Sequence, residues 1–306
     1  MTYRHRTIAA VFLFIAISGA FANATTRSVD ERRAAEPRGS VEIINTSGRI
    51  TVTGWDRSEV AITGTLQEDV ERMEFTSSGS KTVIRVVPRK KILGNSNSGE
   101  AILSIQIPQQ SLLNVSSVSA DLVVRQVLGE QRLSTVSGDI DAELGAEASA
   151  RSVSGDMRLV TKPETKRLEI KSVSGDVNMS GQASGLVDVK TVSGDGKFLL
   201  GALADASFKT VSGDFELKLG LDSDGRLTAE SVSGLIAIDF ASLPTARFKL
   251  RTFSGNIDLC ALLQPAAGTA PTNRAERRNR EFQIGDGEGR VDVQTMSGEV
   301  RLCSLR

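Results

Sequence analysis

The chain has 306 residues and carries 37 basic against 37 acidic side chains, a balance that argues against a nucleic-acid partner, because neutralising a phosphate backbone takes a basic excess or a basic face. Its single histidine, His5, and single tyrosine, Tyr3, both lie in a leading segment expected to be removed. The remainder then has no imidazole, which excludes a Ser-His-Asp triad, a Cys-His pair and a histidine-bound zinc, so no enzyme activity and no cofactor is expected.

Residues 1–24 read as a secretory signal peptide: Arg4, His5 and Arg6 give a basic start, Ile8 to Ile17 an apolar run, and Ala22 or Ala24 a small-residue cleavage site. An uncleaved anchor is the competing reading, but the run from Ile8 to Ala22 is fifteen residues, short of the roughly 20 that cross a bilayer. The chain is therefore expected to be periplasmic or secreted and not an integral membrane protein. Removal of Arg4 and Arg6 leaves a small acidic excess.

Residues 25–40 are polar and charged and read as a flexible leader. Residues 41–112 keep strand character at Val41–Ile44, Ile50–Val52, Val60–Ile62, Val83–Val87 and Ile102–Ile107 without a strict period. They are expected to form irregular N-terminal coils and a cap, since an open solenoid end would template edge-to-edge association.

From residue 113 to 306 a repeat takes over. Val-Ser-Gly-Asp recurs at Val136–Asp139, Val153–Asp156, Val173–Asp176, Val192–Asp195 and Val211–Asp214, with altered copies around Ala120, Gly234, Gly255 and Gly298. From Gly138 to Gly255 the glycines are 17, 20, 19, 19, 21 and 21 residues apart. Apolar side chains stand two and four residues after the glycine, as in Val177 and Met179, and five before it, as in Ile170 and Val189, with polar ones between. That alternation is the period of a strand on both sides of a sharp corner. A coil of about 20 residues loses roughly 30 kcal/mol of conformational entropy on ordering, which its few apolar side chains cannot offset without stacked neighbours. The expected fold is all-β, a single-stranded parallel β-helix (β-solenoid) with coils of about 20 residues.

At the corners, glycine is expected to supply left-handed backbone, and the Ser or Thr three residues earlier, such as Ser172, Thr191 and Thr210, an internal hydroxyl ladder. Arg151, Lys171, Lys190 and Lys209 form one outward row, and Asp139, Asp156, Asp176, Asp195 and Asp214 another. Two readings of the aspartates stand. Each caps its own turn while the nearby lysines neutralise the row, or calcium bridges the carboxylates as a metal ladder.

The interval from Gly255 to Gly298 is 43 residues, and residues 262–281 read as a loop inserted into one coil, with one helical turn near Thr272 and a basic stretch at Arg274, Arg277, Arg278 and Arg280 that is first of all a solvated loop and secondly a contact for an anionic partner such as lipid headgroups or lipopolysaccharide. Cys260 and Cys303 each lie five residues past a glycine. Looping out the insertion brings them onto neighbouring strands about 4.8 Å apart, within disulfide range, and they are expected to pair.

The Ser/Thr-Val-Ser-Gly-Asp corners, Gly54-Trp55-Asp56-Arg57 followed by Val60 and Ile62, and Ile105-Gln106-Ile107-Pro108 resemble a bacterial group, the putative adhesin family of unknown molecular function. The resemblance spans most of residues 40 to 303 and implies a β-helix. Ala120 and Leu235 depart from the corner pattern. Three functions stand: a non-catalytic cell-envelope binding or scaffold protein that touches an envelope protein or a surface polymer; a less favoured polysaccharide-active β-helix enzyme working with carboxylates and basic groups; and an envelope-stress regulatory partner that binds, or self-associates, end to end through an uncapped end, which the sequence does not rank against the first.

Overall fold

Strands form here because each coil offers an apolar side chain at every second position, so that an extended arm buries one face and leaves the other in water. In the computed structural model, which describes residues 26–89, 99–263 and 278–304, this pattern runs almost without interruption. The expected signal peptide and the helical turn near Thr272, with Arg274 and Arg277, lie outside the described residues.

The first elements are β1 (Arg27–Ala34), β2 (Ser40–Trp55), β3 (Glu59–Leu66), β4 (Val70–Ser78), β5 (Lys81–Pro88), β6 (Glu100–Pro108) and β7 (Leu112–Arg125). Short paired arms follow: β8 (Gln131–Ser134) and β9 (Ile140–Glu143), β10 (Glu147–Ser152) and β11 (Met157–Thr161), β12 (Arg167–Ser172) and β13 (Val177–Gly181). Next come β14 (Leu186–Lys190), β15 (Gly196–Ser212), β16 (Phe215–Ser233) and β17 (Leu235–Phe240). The last are β18 (Ala246–Thr252), β19 (Ile257–Leu259), a 3-10 turn at Ala261–Leu263, β20 (Asn279–Ile284), β21 (Gly289–Thr295) and β22 (Glu299–Ser304). The protein is all-β and solenoid-like.

Two parallel ladders make up the body. The arm before each corner stacks in the order β2, β7, β8, β10, β12, β14, β15, β16. The arm after it stacks as β2, β7, β9, β11, β13, β15, β16, β17. Between them the inward side chains form one continuous core, from Val41 and Ile43 through Ile170, Val189 and Phe208 to Val293 and Leu302. Size is matched locally. Phe198, Phe208 and Phe215 meet with ring centroids 4.8 to 6.5 Å apart. Gly196 occupies an inward position because a Cβ there would sit 2.4 Å from the Phe198 ring and 2.8 Å from that of Phe215.

Four expectations change. The segment assigned as leader holds β1, paired antiparallel with β3 from Arg27↔Leu66 to Ala34↔Glu59. Its charged residues blunt an exposed sheet edge, which is why its composition reads as a linker. Residues 41–112 are partly regular: β2 and β7 pair in parallel over almost their whole length, and β3 and β4 fold back antiparallel as the cap. The segment expected as a loop over residues 262–281 ends in strand instead: Asn279, Arg280 and Glu281 open β20, which pairs antiparallel with β18, Phe282 stacking on Phe248 at 4.8 Å. The end beside β18 is thereby covered, and among the described residues the expected uncapped end is reduced to the three-residue β19.

The largest correction concerns winding. At the N-terminal end β5 and β6 stack outside β2, although they follow it in sequence. At the other end β21 and β22 lie between the coil of β16 and β17 and the coil of β18 and β19. The chain therefore places its last coil one level inside the one that precedes it.

Candidate binding surface at the repeated corner

Each corner is built from the serine or threonine three residues before the glycine. Two geometries occur. At Gly138, Gly155 and Gly298 the glycine N–H donates inward to Thr135, Ser152 or Thr295 at 2.8 to 3.0 Å. At Gly213 and Gly234 the preceding peptide is turned over, and the hydroxyls of Thr210 and Ser231 donate to the carbonyls of Ser212 and Ser233 at 3.2 and 2.7 Å. The first kind does without positive φ, whereas the second has it, +130° at Gly213 and +109° at Gly234, as do the corners at Gly175 and Gly194, +124° and +119°. The expected hydroxyl ladder is thus mainly a set of separate corner locks, with one hydroxyl-to-hydroxyl link between coils, Thr191 to Thr210 at 3.0 Å, and longer contacts from Thr135 to the Val118 carbonyl and from Thr252 to the Gly298 carbonyl.

What every corner shares is close approach. A Cβ on Gly155 would stand 2.0 Å from the Gly138 carbonyl oxygen, one on Gly194 2.4 Å from that of Gly175, and one on Gly298 2.0 Å from that of Gly234. The glycines lie one above another, with the carbonyl of each filling the space where the next would carry a side chain.

The aspartates serve the neighbouring coil. Oδ1 of Asp139, Asp156, Asp176 and Asp195 accepts the N–H of Asp156, Asp176, Asp195 and Asp214 in turn, each at 2.9 Å, and Asp214 accepts that of Leu235 at 2.8 Å. Own-turn capping is therefore replaced by an inter-coil ladder. Nor do the lysines neutralise it. Arg151 and Lys171 pair with Glu169, Lys190 with Asp188 and Lys209 with Glu230, all on the face before the corner. The Lys171 hydrogen bond holds the Glu169 carboxyl below its usual range against the opposing effect of burial, and the Asp188 hydrogen bond raises Lys190. As for calcium, among the described residues no three acidic, cysteine or histidine side chains come together as a ligand set.

Sequence reasoning passed over the valine of the motif. Its carbonyl is tied down, Ser154 N–H to Val136 at 2.8 Å and Ser174 N–H to Val153 at 2.7 Å, while its side chain points to water. Val118, Val136, Val153, Val173, Val192, Val211 and Val232 are 44 to 50 % exposed, and the seam continues through Met296 at 59 % and Phe253 at 77 %. Repeated apolar exposure along one line marks a contact surface. The sequence carried the signal, since the alternation that buries the residues five and three before the glycine sends the one two before it outward. Where the seam ends, Val232, Phe253 and Met296 line a concavity of about 670 Å³ with Arg251 and Arg278. A smaller one of about 490 Å³ lies on the opposite arm at Val160, Leu199 and Lys218.

Cys260 and Cys303 are brought together as expected, Cys260 directly after β19 and Cys303 on β22, where Leu259 pairs with Leu302. Both are half-buried free thiols in hydrogen-bond contact. Burial pushes the Cys260 thiol up, but hydrogen bonds from Cys303 and from the amides of Ser304, Leu262 and Leu263 outweigh it and leave it lowered; the same contact raises Cys303. At the far end Trp55 Nε1 donates to the Glu59 carbonyl at 2.8 Å under the Arg57 guanidinium, which closes the turn from β2 into β3.

Fold and surface together define a stacked-coil repeat protein whose exterior consists of rows, basic, apolar and acidic, running along the stack. Residues 39–303 match the Toastrack DUF4097 family, and the chain belongs to it. No curated protein matches. Among solved structures it is distantly similar to a putative adhesin from Parabacteroides distasonis, at 9% identity over 92% of this chain and 98% of that one, TM-score 0.43. It is also similar to a putative adhesin from Bacteroides fragilis, at 14% identity over 90% and 97%, TM-score 0.36. A third is a putative lipid binding protein from Parabacteroides distasonis, at 11% identity over 94% and 98%, TM-score 0.34. No helix among the described residues is long and apolar enough to cross a membrane.

Proposed function

We propose that the chain is a non-catalytic cell-envelope protein, periplasmic or secreted, whose single-stranded β-helix displays repeated rows of side chains to bind or scaffold an envelope protein or a surface polymer. The observation that carries this reading is the register of the outward rows. Lys171 lies beside Lys190 and Lys190 beside Lys209 in parallel pairing, while Asp176 hydrogen-bonds Asp195 and Asp195 Asp214. A catalytic centre gathers a few unlike groups with divergent environments at one place; here like groups recur at one phase of every coil. Such a surface suits an extended partner contacted at many equivalent points. Site-specific photo-cross-linkers at Lys190 and at Leu199, used in the intact envelope, are expected to capture the same discrete partner from at least one row. Failure of both to capture anything, together with release of reducing ends from an acidic polysaccharide by the purified chain, would reject the reading in favour of an enzyme.

A further inference from the structure

We propose that the apolar corner seam is a homodimer interface, in which two copies lie side by side and parallel, related by a two-fold axis running along their length. The inference does not depend on the identity of any envelope partner.

Three observations carry it. The first is continuity: side chains 44 to 77 % exposed follow one another along the seam with no polar interruption, so that a flat partner surface can cover them together. The second is area. Nine levels at about 4.8 Å make a seam of about 40 Å, and with its flanking rows, about 15 Å wide in all, it would bury about 600 Å² per copy. That gives about 1,200 Å² in total, the lower bound of specific stable interfaces.

The third is charge, and it selects the arrangement. The seam is flanked on one side by the basic row and on the other by the acidic row, and the two are matched level by level: Arg151 with Asp156, Lys171 with Asp176, Lys190 with Asp195 and Lys209 with Asp214. Two copies can face each other across the seam in two symmetric ways. A two-fold axis perpendicular to the rods makes them antiparallel and sets basic row against basic row. An axis along the rods makes them parallel and sets the basic row of each copy against the acidic row of the other, at four levels and twice over by symmetry. Only the second is complementary, and like-charge juxtaposition disfavours the first. Both rows are free to engage. The basic groups are 42 to 54 % exposed and held only in surface ion pairs, which contribute little, and each aspartate keeps one carboxylate oxygen clear of the inter-coil ladder. An isologous contact of this kind also closes on itself and leads to no filament.

Sedimentation equilibrium of the purified chain at tens of micromolar is expected to give twice the monomer mass, with dissociation promoted by salt. Val173→Asp with Val192→Asp is expected to weaken association at least ten-fold while leaving circular dichroism and thermal unfolding of the protomer unchanged, because both side chains already face water. Orientation is read in a Cys260→Ser, Cys303→Ser background with a bis-maleimide. Val118→Cys alone and Met296→Cys alone should each cross-link to themselves, since a two-fold axis along the rod brings equal heights together. A monomeric chain overturns the proposal. So does cross-linking that occurs only when the two cysteine variants are mixed, which marks the antiparallel arrangement, and so does a monomer whose seam binds neutral phosphatidylcholine vesicles, which assigns the seam to lipid.

Discussion

At the scale of the residue, the corner glycine is required by its neighbour more than by its own torsion. Gly155 has ordinary φ, yet an added Cβ would meet the Gly138 carbonyl oxygen at 2.0 Å, a backbone atom that cannot swing away. Gly155→Ala is therefore expected to cost about 3 kcal/mol or more, through displaced coils. Gly79→Ala, at φ +57° with nothing within 4 Å, should cost only about 1 kcal/mol of left-handed strain. Denaturant unfolding of both variants checks the contrast, and equal losses would show that torsion, not stacking, sets the requirement. The aspartate makes a parallel case. Asp176 Oδ1 accepts the Asp195 amide at 2.9 Å at the exposed corner, so Asp176→Ala hands that N–H to water and is expected to destabilise by about 0.5 to 1.5 kcal/mol, the net worth of one hydrogen bond. Asp176→Asn retains an oxygen acceptor and should recover most of the loss in the same denaturant series. The spacing of Gly and Asp was legible in the sequence. Their reasons were not, because both act on the next coil and a linear reading credits them to their own turn.

Among the elements, those legible in advance are the ones whose side chains alternate between core and water. β12, reading Arg-Leu-Glu-Ile-Lys-Ser, shows the pattern plainly, and β14 and β18 share it. β1 escaped because five of its eight residues, Arg27, Asp30, Glu31, Arg32 and Arg33, are charged and its strand identity comes only from pairing with β3. The cysteine pair lies between these cases: equal phase predicted adjacency, and adjacency is found, although it arises by intercalation of β22. The lowered Cys260 thiol ionises first, and its thiolate is the form that starts exchange with a disulfide oxidant, as Cys303 is already in contact. Thiol counting on the chain isolated from an oxidising compartment, denatured without reductant, should find no free thiol. Reduction, or Cys303→Ser, should then cost up to about 4 kcal/mol in the chain-entropy account of closing so long a loop. Two free thiols after treatment with a disulfide oxidant would show that strain across parallel strands forbids the bond.

At the scale of the whole molecule, coils contact only their neighbours along the stack, so a local defect should spread by stacking order and not by sequence order. Near-identical repeats hide that order from a sequence reading: any coil's apolar pattern fits any other's, and nothing in the spacing of Gly234, Gly255 and Gly298 says which two are adjacent. The distinction can be measured at Ile257. Its side chain is buried, and its backbone pairs with Val300 of β22, which in turn pairs with Ile236 of β17. Ile257→Ala removes a core side chain at the end of the stack, a change that costs about 2 to 5 kcal/mol depending on how far the site collapses. Hydrogen exchange should therefore accelerate first in β19 and β22, including the Val300 amide that donates to Asn256 at 2.9 Å, while β17 keeps its protection behind an intact layer. Winding in sequence order would instead place Ile257 directly against β17, and faster exchange at Ile236 and Ile238 with β22 unaffected would establish that order and remove the intercalated coil. Because stacking cooperativity decays with distance, β9 and β11 should exchange at unchanged rates in either case and so report the integrity of the remaining rod.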